Sequence, residues 1–273
     1  MSILSLLAAA VAARGAVSFD PPAEPKDAKP HARLSLKSDQ ASALPGSTID
    51  IAFSLELEPT WHTYWRGPSD TGMAPTFELT LPAGWSAGEP QWPTPERLVG
   101  EGDVLDHVYE HSLTVIYPVH VAAGAKPGET LTVQGAAKWL VCNEVCVPER
   151  GTASVSVRIG PPTAGPATDR AILEQARARH AKPIKSSTRG VTATRGAEGL
   201  HIDAPGATML TFIPDRGCEE APDLLRQGEA KGPALRIRLA GEGPVKGIIE
   251  AKFNGGAHEL LAIDLPAEKP PSR

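Results

Sequence analysis

Cys142 and Cys146 stand four residues apart in the run Lys138-Trp139-Leu140-Val141-Cys142-Asn143-Glu144-Val145-Cys146-Val147-Pro148-Glu149. Thiols at this spacing can close a small disulfide ring, hold a soft metal ion, or pack inside a strand. A ring this short removes little chain entropy from the unfolded state, so it is a poor staple. It is also easier to reduce than a long-range cross-link, which is the property of disulfides that exchange. The third cysteine, Cys218, lies far off in the polar run Asp215-Arg216-Gly217-Cys218-Glu219-Glu220, which leaves the close pair as natural partners. Cys218 itself reads as incidental or as a regulatory thiol, with the incidental reading favoured.

A metal reading asks for more ligands than the pair supplies. Structural zinc takes four, and the chain has no second closely spaced cysteine pair. His107 and His111 would share a face only on a helix, and their region reads as a loop entering a strand. With His120 they are expected at the surface. Cu(I) needs only two thiolates, with Met73 or His62 as a further ligand, so copper stays open as an alternative. No organic cofactor is expected, since no nucleotide loop or nucleophile-base constellation is visible.

The elements that must position these thiols are strands. From Thr48 to Leu57 the side chains alternate, with Ile49, Ile51, Phe53, Leu55 and Leu57 on one face and Asp50, Ser54 and Glu56 on the other, the pattern of a half-buried strand. The same period recurs at Phe77, Leu79 and Leu81, at Leu113 through Val121, and from Leu131 to Trp139, with a last strand over Ala153 to Ile159. Turn signals such as Pro45-Gly46, Pro82-Ala83-Gly84 and Lys126-Pro127-Gly128 separate them. This predicts a mainly β fold: an immunoglobulin-like antiparallel β-sandwich followed by a second, smaller β-domain.

With 273 residues the chain has room for two cores. Its net charge of -5 gives no surplus of Lys and Arg, so nucleic acid is not expected as a partner. Ile3 to Ala13 is an apolar run of signal-peptide length, and small residues at Ala10, Ala12, Ala13 and Ala16 offer cleavage points, although no Lys or Arg precedes it and a buried N-terminal helix is the competing reading. The layout read from the sequence is a signal peptide over 1–16 and a Pro-rich linker over 17–30, then a β-sandwich over 31–160 carrying the cysteine pair. A linker with a short helix capped by Thr168 or Asp169 follows over 161–185, then the second β-domain over 186–265 and a loose tail over 266–273. The basic face of that helix is expected in solvent. The second domain is read from strand patterns at Thr208 to Ile213, Ala234 to Leu239, Val245 to Phe253 and His258 to Asp264.

The blocks Trp61-His62-Thr63-Tyr64-Trp65-Arg66-Gly67-Pro68-Ser69-Asp70-Thr71-Gly72-Met73-Ala74-Pro75-Thr76, Leu81-Pro82-Ala83-Gly84-Trp85, Gln91-Trp92-Pro93-Thr94-Pro95-Glu96-Arg97 and Trp139 to Glu149 resemble the periplasmic N-terminal region of thiol:disulfide interchange proteins of the DsbD/ScsB type. The pair spacing fits the ScsB-like branch, which is linked to copper tolerance as well as disulfide reduction. The resemblance implies a thiol:disulfide oxidoreductase-type relay in the periplasm, with Cys142 and Cys146 as the dithiol and Cys146 as the sulfur that forms mixed disulfides. It implies a membrane thiol-disulfide electron donor and exported thiol proteins as partners. Longer members continue into membrane and thioredoxin-like domains; no such segment is visible here, and the donor is expected in trans. The alternative is a non-catalytic periplasmic copper-binding or interaction protein.

Exchange requires a thiolate, which positive neighbours favour and carboxylates oppose. Glu144 and Glu149 would oppose it, whereas Lys138, Arg150 or His62 would favour it if near in space. A reduced pair also needs shielding from bystander oxidants, and Trp61, Tyr64 and Trp65 are candidate lid residues, although such a cluster is more often ordinary sandwich core. Asp70 in Pro68-Ser69-Asp70-Thr71-Gly72 reads first as a turn former, with Gly72 allowing positive φ, and second as a proton carrier beside the dithiol.

Overall fold

A computed structural model describes residues 29–267. The signal peptide expected over 1–16 lies outside the described residues, as do all of the 17–30 linker but its last two positions and all of the tail beyond 267.

In chain order the first part contributes β1 (Ala32–Ser38), β2 (Gln40–Ala43), β3 (Thr48–Leu57), β4 (His62–Tyr64), β5 (Thr76–Thr80), β6 (Ser86–Ala87), β7 (Glu96–Gly100), β8 (Val104–Glu110), β9 (Ser112–His120), β10 (Thr130–Cys142), β11 (Cys146–Ile159) and β12 (Thr163–Ala164). They form two sheets, β1-β3-β9-β6 and β12-β2-β11-β10-β4-β8-β7, with β5 also paired to β10. All pairings here are antiparallel except β11 with β2. This is the expected immunoglobulin-like architecture. The alternating residues meet between the sheets: Ile49, Ile51, Phe53 and Leu55 of β3 and Leu113, Val115 and Val119 of β9 pack with Val133, Ala137, Trp139 and Val141 of β10. Each fully buried Leu, Ile or Phe contributes roughly 1.5–3 kcal/mol of transfer free energy, which makes this layer the main stabiliser of the sandwich.

Five expectations change. The strand β3 is buried on both faces, because helix α1 (Ala167–Ala178) lays Leu173 and Ala176 onto Ala52 and Ile116. The residue at the helix N-cap is Pro166, with no side-chain cap, so neither Thr168 nor Asp169 caps it. Its basic residues are not simply solvated: Arg177 pairs with Asp39 at 2.9 Å and also with Asp50, and Arg179 donates to the Thr94 carbonyl at 2.7 Å. Further, the last long strand of the sandwich begins at Cys146 rather than Ala153, and Thr163–Ala164 pairs with β2 inside the span 161–185 read as linker and short helix.

The second part contains β13 (Lys182–Pro183), β14 (Thr192–Gly196), β15 (Gly199–Asp203), β16 (Ala207–Pro214), β17 (Glu229–Lys231), β18 (Ala234–Ile237), β19 (Val245–Phe253) and β20 (His258–Leu265), with a short helix α2 (Leu224–Gln227). Its sheets run β13-β20-β19-β16-β17 and β14-β15-β18 around a core of Leu200, Ile202, Leu210, Phe212, Ile237, Ile249 and Leu261 among others. Ile213 and Ile248 leave that core and join the first one. The two parts are also joined at Trp65, whose indole N–H donates to the Pro214 carbonyl at 2.8 Å, and at Arg66, whose Nε donates to Asp215 at 2.8 Å. Gly67 is required here: a Cβ would sit 2.1 Å from the Pro214 oxygen.

Candidate active site

Strands β10 and β11 form a long hairpin, and the cysteines occupy its last paired position, Cys142 opposite Cys146. They are joined by a disulfide with Cα atoms 4.1 Å apart. The connecting turn Asn143-Glu144-Val145 is exposed, Val145 at 63 %. Asn143 ties it down by donating from its side-chain amide to Thr60 Oγ1 at 3.1 Å. On the other side of β10, His62 of β4 is paired with Cys142, and Glu110 of β8 is paired with His62.

The two sulfurs have unlike surroundings. Cys142 is 1 % exposed and packs with Tyr64, Val108, Leu98 and Leu140. Cys146 is exposed. Tyr64 reaches across: its hydroxyl lies 3.8 Å from Cys146 Sγ and 3.3 Å from His62 Nε2. Burial pushes the Tyr64 phenol up, and a hydrogen bond shared with Thr71 opposes this, so the phenol stays protonated and able to donate. Burial lowers the His62 imidazole, opposed by Asp106 and Glu110, so it is favoured in its neutral form. A neutral imidazole can be donor or acceptor to the phenol. The arrangement gives Cys146 a hydrogen-bond donor in the Tyr64 hydroxyl.

The loop Pro68–Gly72 holds Tyr64 from outside. Gly72 has φ +70, and a Cβ there would fall 2.1 Å from the Tyr64 ring, so the loop backbone lies directly on the phenol. Asp106 accepts from Thr71 N–H at 2.9 Å and from Thr71 Oγ1. Asp70 Oδ2 accepts from Leu105 N–H at 2.7 Å, and Ser69 Oγ accepts from His107 N–H at 3.2 Å.

The sequence candidates therefore divide. Tyr64 and His62 meet the disulfide. Trp65, next in sequence, points to the opposite side and is core, edge-on to Trp92 and Tyr109 and bonded to Pro214. Trp61 stacks on His31 at 3.7 Å between centroids. Asp70 spends its carboxylate on Leu105 in a turn anchor. Glu149 accepts from the Trp139 indole at 2.9 Å and from the backbone N–H groups of His31 and Ala32, which makes it a strand clamp. Lys138 and Arg150 face each other farther along the hairpin.

The sequence reading missed one residue and misplaced another. Asp106 and His107, in β8, are both buried, and His107 corrects the expectation of a surface histidine. The run Val104-Leu105-Asp106-His107-Val108-Tyr109 does not alternate, because β8 is covered on both faces. Burial lowers the His107 imidazole to about 4; its Nδ1 lies 3.3 Å from the Pro68 carbonyl and its Nε2 is buried without a partner. His111 and His120 are exposed, as expected. Cys218 is half-buried, and burial pushes its thiol up. Among the described residues no three His, Cys, Asp or Glu side chains gather as a metal site, and no helix is long and apolar enough to cross a membrane.

Residues 33–156 match the family described as thiol:disulfide interchange protein DsbD, N-terminal. Among solved structures, the N-terminal periplasmic domain of ScsB from Proteus mirabilis is similar, with 17 % identity and a TM-score of 0.52 over 87 % of this chain and 92 % of that one. The reduced DsbD N-terminal domain of Neisseria meningitidis aligns at 15 % identity and a TM-score of 0.27 over 48 % of this chain and 90 % of that one. No curated protein matches the chain.

Proposed function

Since residues 33–156 form a DsbD/ScsB-like N-terminal domain, we propose that the chain is a periplasmic thiol-disulfide exchange module that relays reducing equivalents through Cys142 and Cys146. The observation that carries this reading is the asymmetry of the pair: one sulfur is buried, and the other is exposed beside a protonated phenol.

In the oxidised state a donor thiolate attacks Cys146 Sγ, the sulfur that solvent reaches. The Cys142–Cys146 bond breaks, Cys142 leaves as a thiolate and takes a proton, and Cys146 is held in a mixed disulfide. A second donor thiolate attacks the donor's own sulfur, closing the donor's disulfide and releasing Cys146 as a thiolate, so the pair holds two electrons, with a proton on Cys142 and the other proton in solvent. Tyr64 stabilises the Cys146 thiolate by donating its hydroxyl proton in a hydrogen bond. That thiolate attacks the disulfide of an acceptor, and Cys142 then attacks Cys146 Sγ, re-forming the ring and releasing the acceptor thiol. We assign the donor role to a membrane thiol-disulfide protein and the acceptor role to exported thiol proteins.

The test is trapping. Replacing Cys142→Ser leaves Cys146 unable to be resolved and accumulates a DTT-sensitive adduct with an exported protein, whereas Cys146→Ser accumulates none. Equal absence of adducts in both variants rejects the relay. The copper-binding alternative draws on the same sulfurs in reduced form and predicts Cu(I) uptake that both substitutions remove.

A further inference from the structure

The loop from Pro68 to Gly72 is exposed at Pro68 and from Asp70 onward, so little apolar burial holds it, yet it lies on the ring that touches the reactive sulfur. Three polar anchors fix it to β8. Two are ordinary: Ser69 to the His107 N–H, and Asp70 to both backbone groups of Leu105. The third is not. Asp106 is 6 % exposed, and burying a carboxylate is unfavourable unless its oxygens are satisfied. Both are given to one residue, Thr71, through its backbone N–H and its hydroxyl. Thr71 is followed by Gly72, whose backbone rests on Tyr64, and the Tyr64 hydroxyl is 3.8 Å from Cys146 Sγ.

We propose that Asp106 is a positioning residue for thiol exchange: it clamps Thr71 and Gly72 onto the Tyr64 ring and so keeps the phenol aimed at Cys146. The inference rests on the reading of Cys142 and Cys146 as an exchanging pair. Asp106 reaches Cys146 through two intermediaries, Thr71 and Tyr64, while its charge favours the protonated forms of His62 and Tyr64. The two mechanisms have opposite signs. A nearby carboxylate by itself disfavours a thiolate, so removing its charge lowers a thiol's pKa. Losing a donated hydrogen bond to the thiolate raises it. The ionisable groups facing the site are His62 and Tyr64 from β4, Asp106 and Glu110 from β8, and Glu144 from the hairpin turn. Among the three carboxylates named, Asp106 is the one bonded to the loop over Tyr64, through Thr71.

The experiment uses the reduced full chain in a Cys218→Ser background and measures the rate of iodoacetamide modification at Cys146 against pH, with the site read by mass spectrometry. Asp106→Asn raises the midpoint by roughly half to one pH unit. Thr71→Val, which keeps the backbone bond and loses the hydroxyl, moves it in the same direction by less. Tyr64→Phe gives the full shift, and adding Asp106→Asn to it gives no more, because both act through one contact. An unchanged or lowered midpoint in Asp106→Asn overturns the proposal, as does a shift that adds to that of Tyr64→Phe. If Asp106→Asn does not fold, Thr71→Val decides alone, with the same sign criterion and the same double variant. The measurement needs no partner, so a shift seen where Cys142→Ser traps nothing separates the clamp from the relay.

Discussion

The short segment from Tyr64 to Gly72 has two flanks, and each ends at a cysteine in a different state. On one flank Tyr64 and Thr71 lead to Cys146, which is exposed, disulfide-bonded and supplied with a hydroxyl donor. On the other, Trp65, Arg66 and Gly67 lead to Pro214 and Asp215. Beyond them a cavity of about 490 Å³ lined by Asp70, His107 and Cys218, with others, holds a half-buried free thiol. Burial pushes that thiol up, with Glu219 and Asp215 adding to the effect and a backbone hydrogen bond at Lys246 opposing it. Both cysteines sit in polar turns beside carboxylates. What separates a site suited to exchange from an inert thiol is exposure and a donor, not residue type.

The largest test of this contrast is substitution. Cys146→Ser should reduce disulfide exchange with a small dithiol by on the order of a hundredfold or more, whereas Cys218→Ser should leave it within about twofold. Comparable losses in both would erase the distinction. Next, Trp65→Ala should cost about 3–5 kcal/mol in denaturant unfolding, as expected for truncating a buried indole, while the Cys146 modification profile of the folded protein stays in place. Tyr64→Phe should do the reverse, with a small stability change and a shifted profile. A moved profile in Trp65→Ala would show the flanks to be coupled.

A third prediction concerns acid. His107 is buried with its imidazole lowered to about 4, whereas an unfolded chain has it near 6.5. Between these values the unfolded state binds the proton and the folded state does not, so stability is lost as pH falls from about 6.5 toward 4, by about 3 kcal/mol in all. His107→Gln should flatten that slope in pH-dependent urea melts; an unchanged slope would assign it elsewhere. The smallest expected effect is at Cys218: its alkylation in the native chain should set in above the range of an ordinary thiol, because burial holds it protonated. Modification at neutral pH as fast as that of reduced Cys146 would place the two thiols in equivalent environments.

Much of the sandwich was legible because Ile49, Ile51, Phe53 and Leu55 alternate and one face must be dry. The cover on β3's other face was not, since nothing in Ala52 or Ser54 announces a helix arriving from more than a hundred residues away. The cysteine pair and Tyr64 could be named from type and spacing, but not the division of labour between Tyr64 and Trp65. Strand geometry sends neighbouring side chains to opposite faces, and only the sheet order tells which face meets the disulfide. Asp106 and His107 were hidden for a related reason. A strand covered on both sides loses its alternation, and polar residues within it read as surface until their partners at Thr71 and Pro68 are seen.

The central claim is that the Cys142–Cys146 bond is a reversible redox couple. Equilibration of the folded Cys218→Ser chain with graded dithiol and glutathione buffers tests it directly, with thiols counted by mass after quenching. The account predicts a single two-electron transition in the folded protein with a midpoint above about −300 mV, the range of exchanging rather than structural disulfides. A pair that stays oxidised through that range and opens only when the chain unfolds would contradict it.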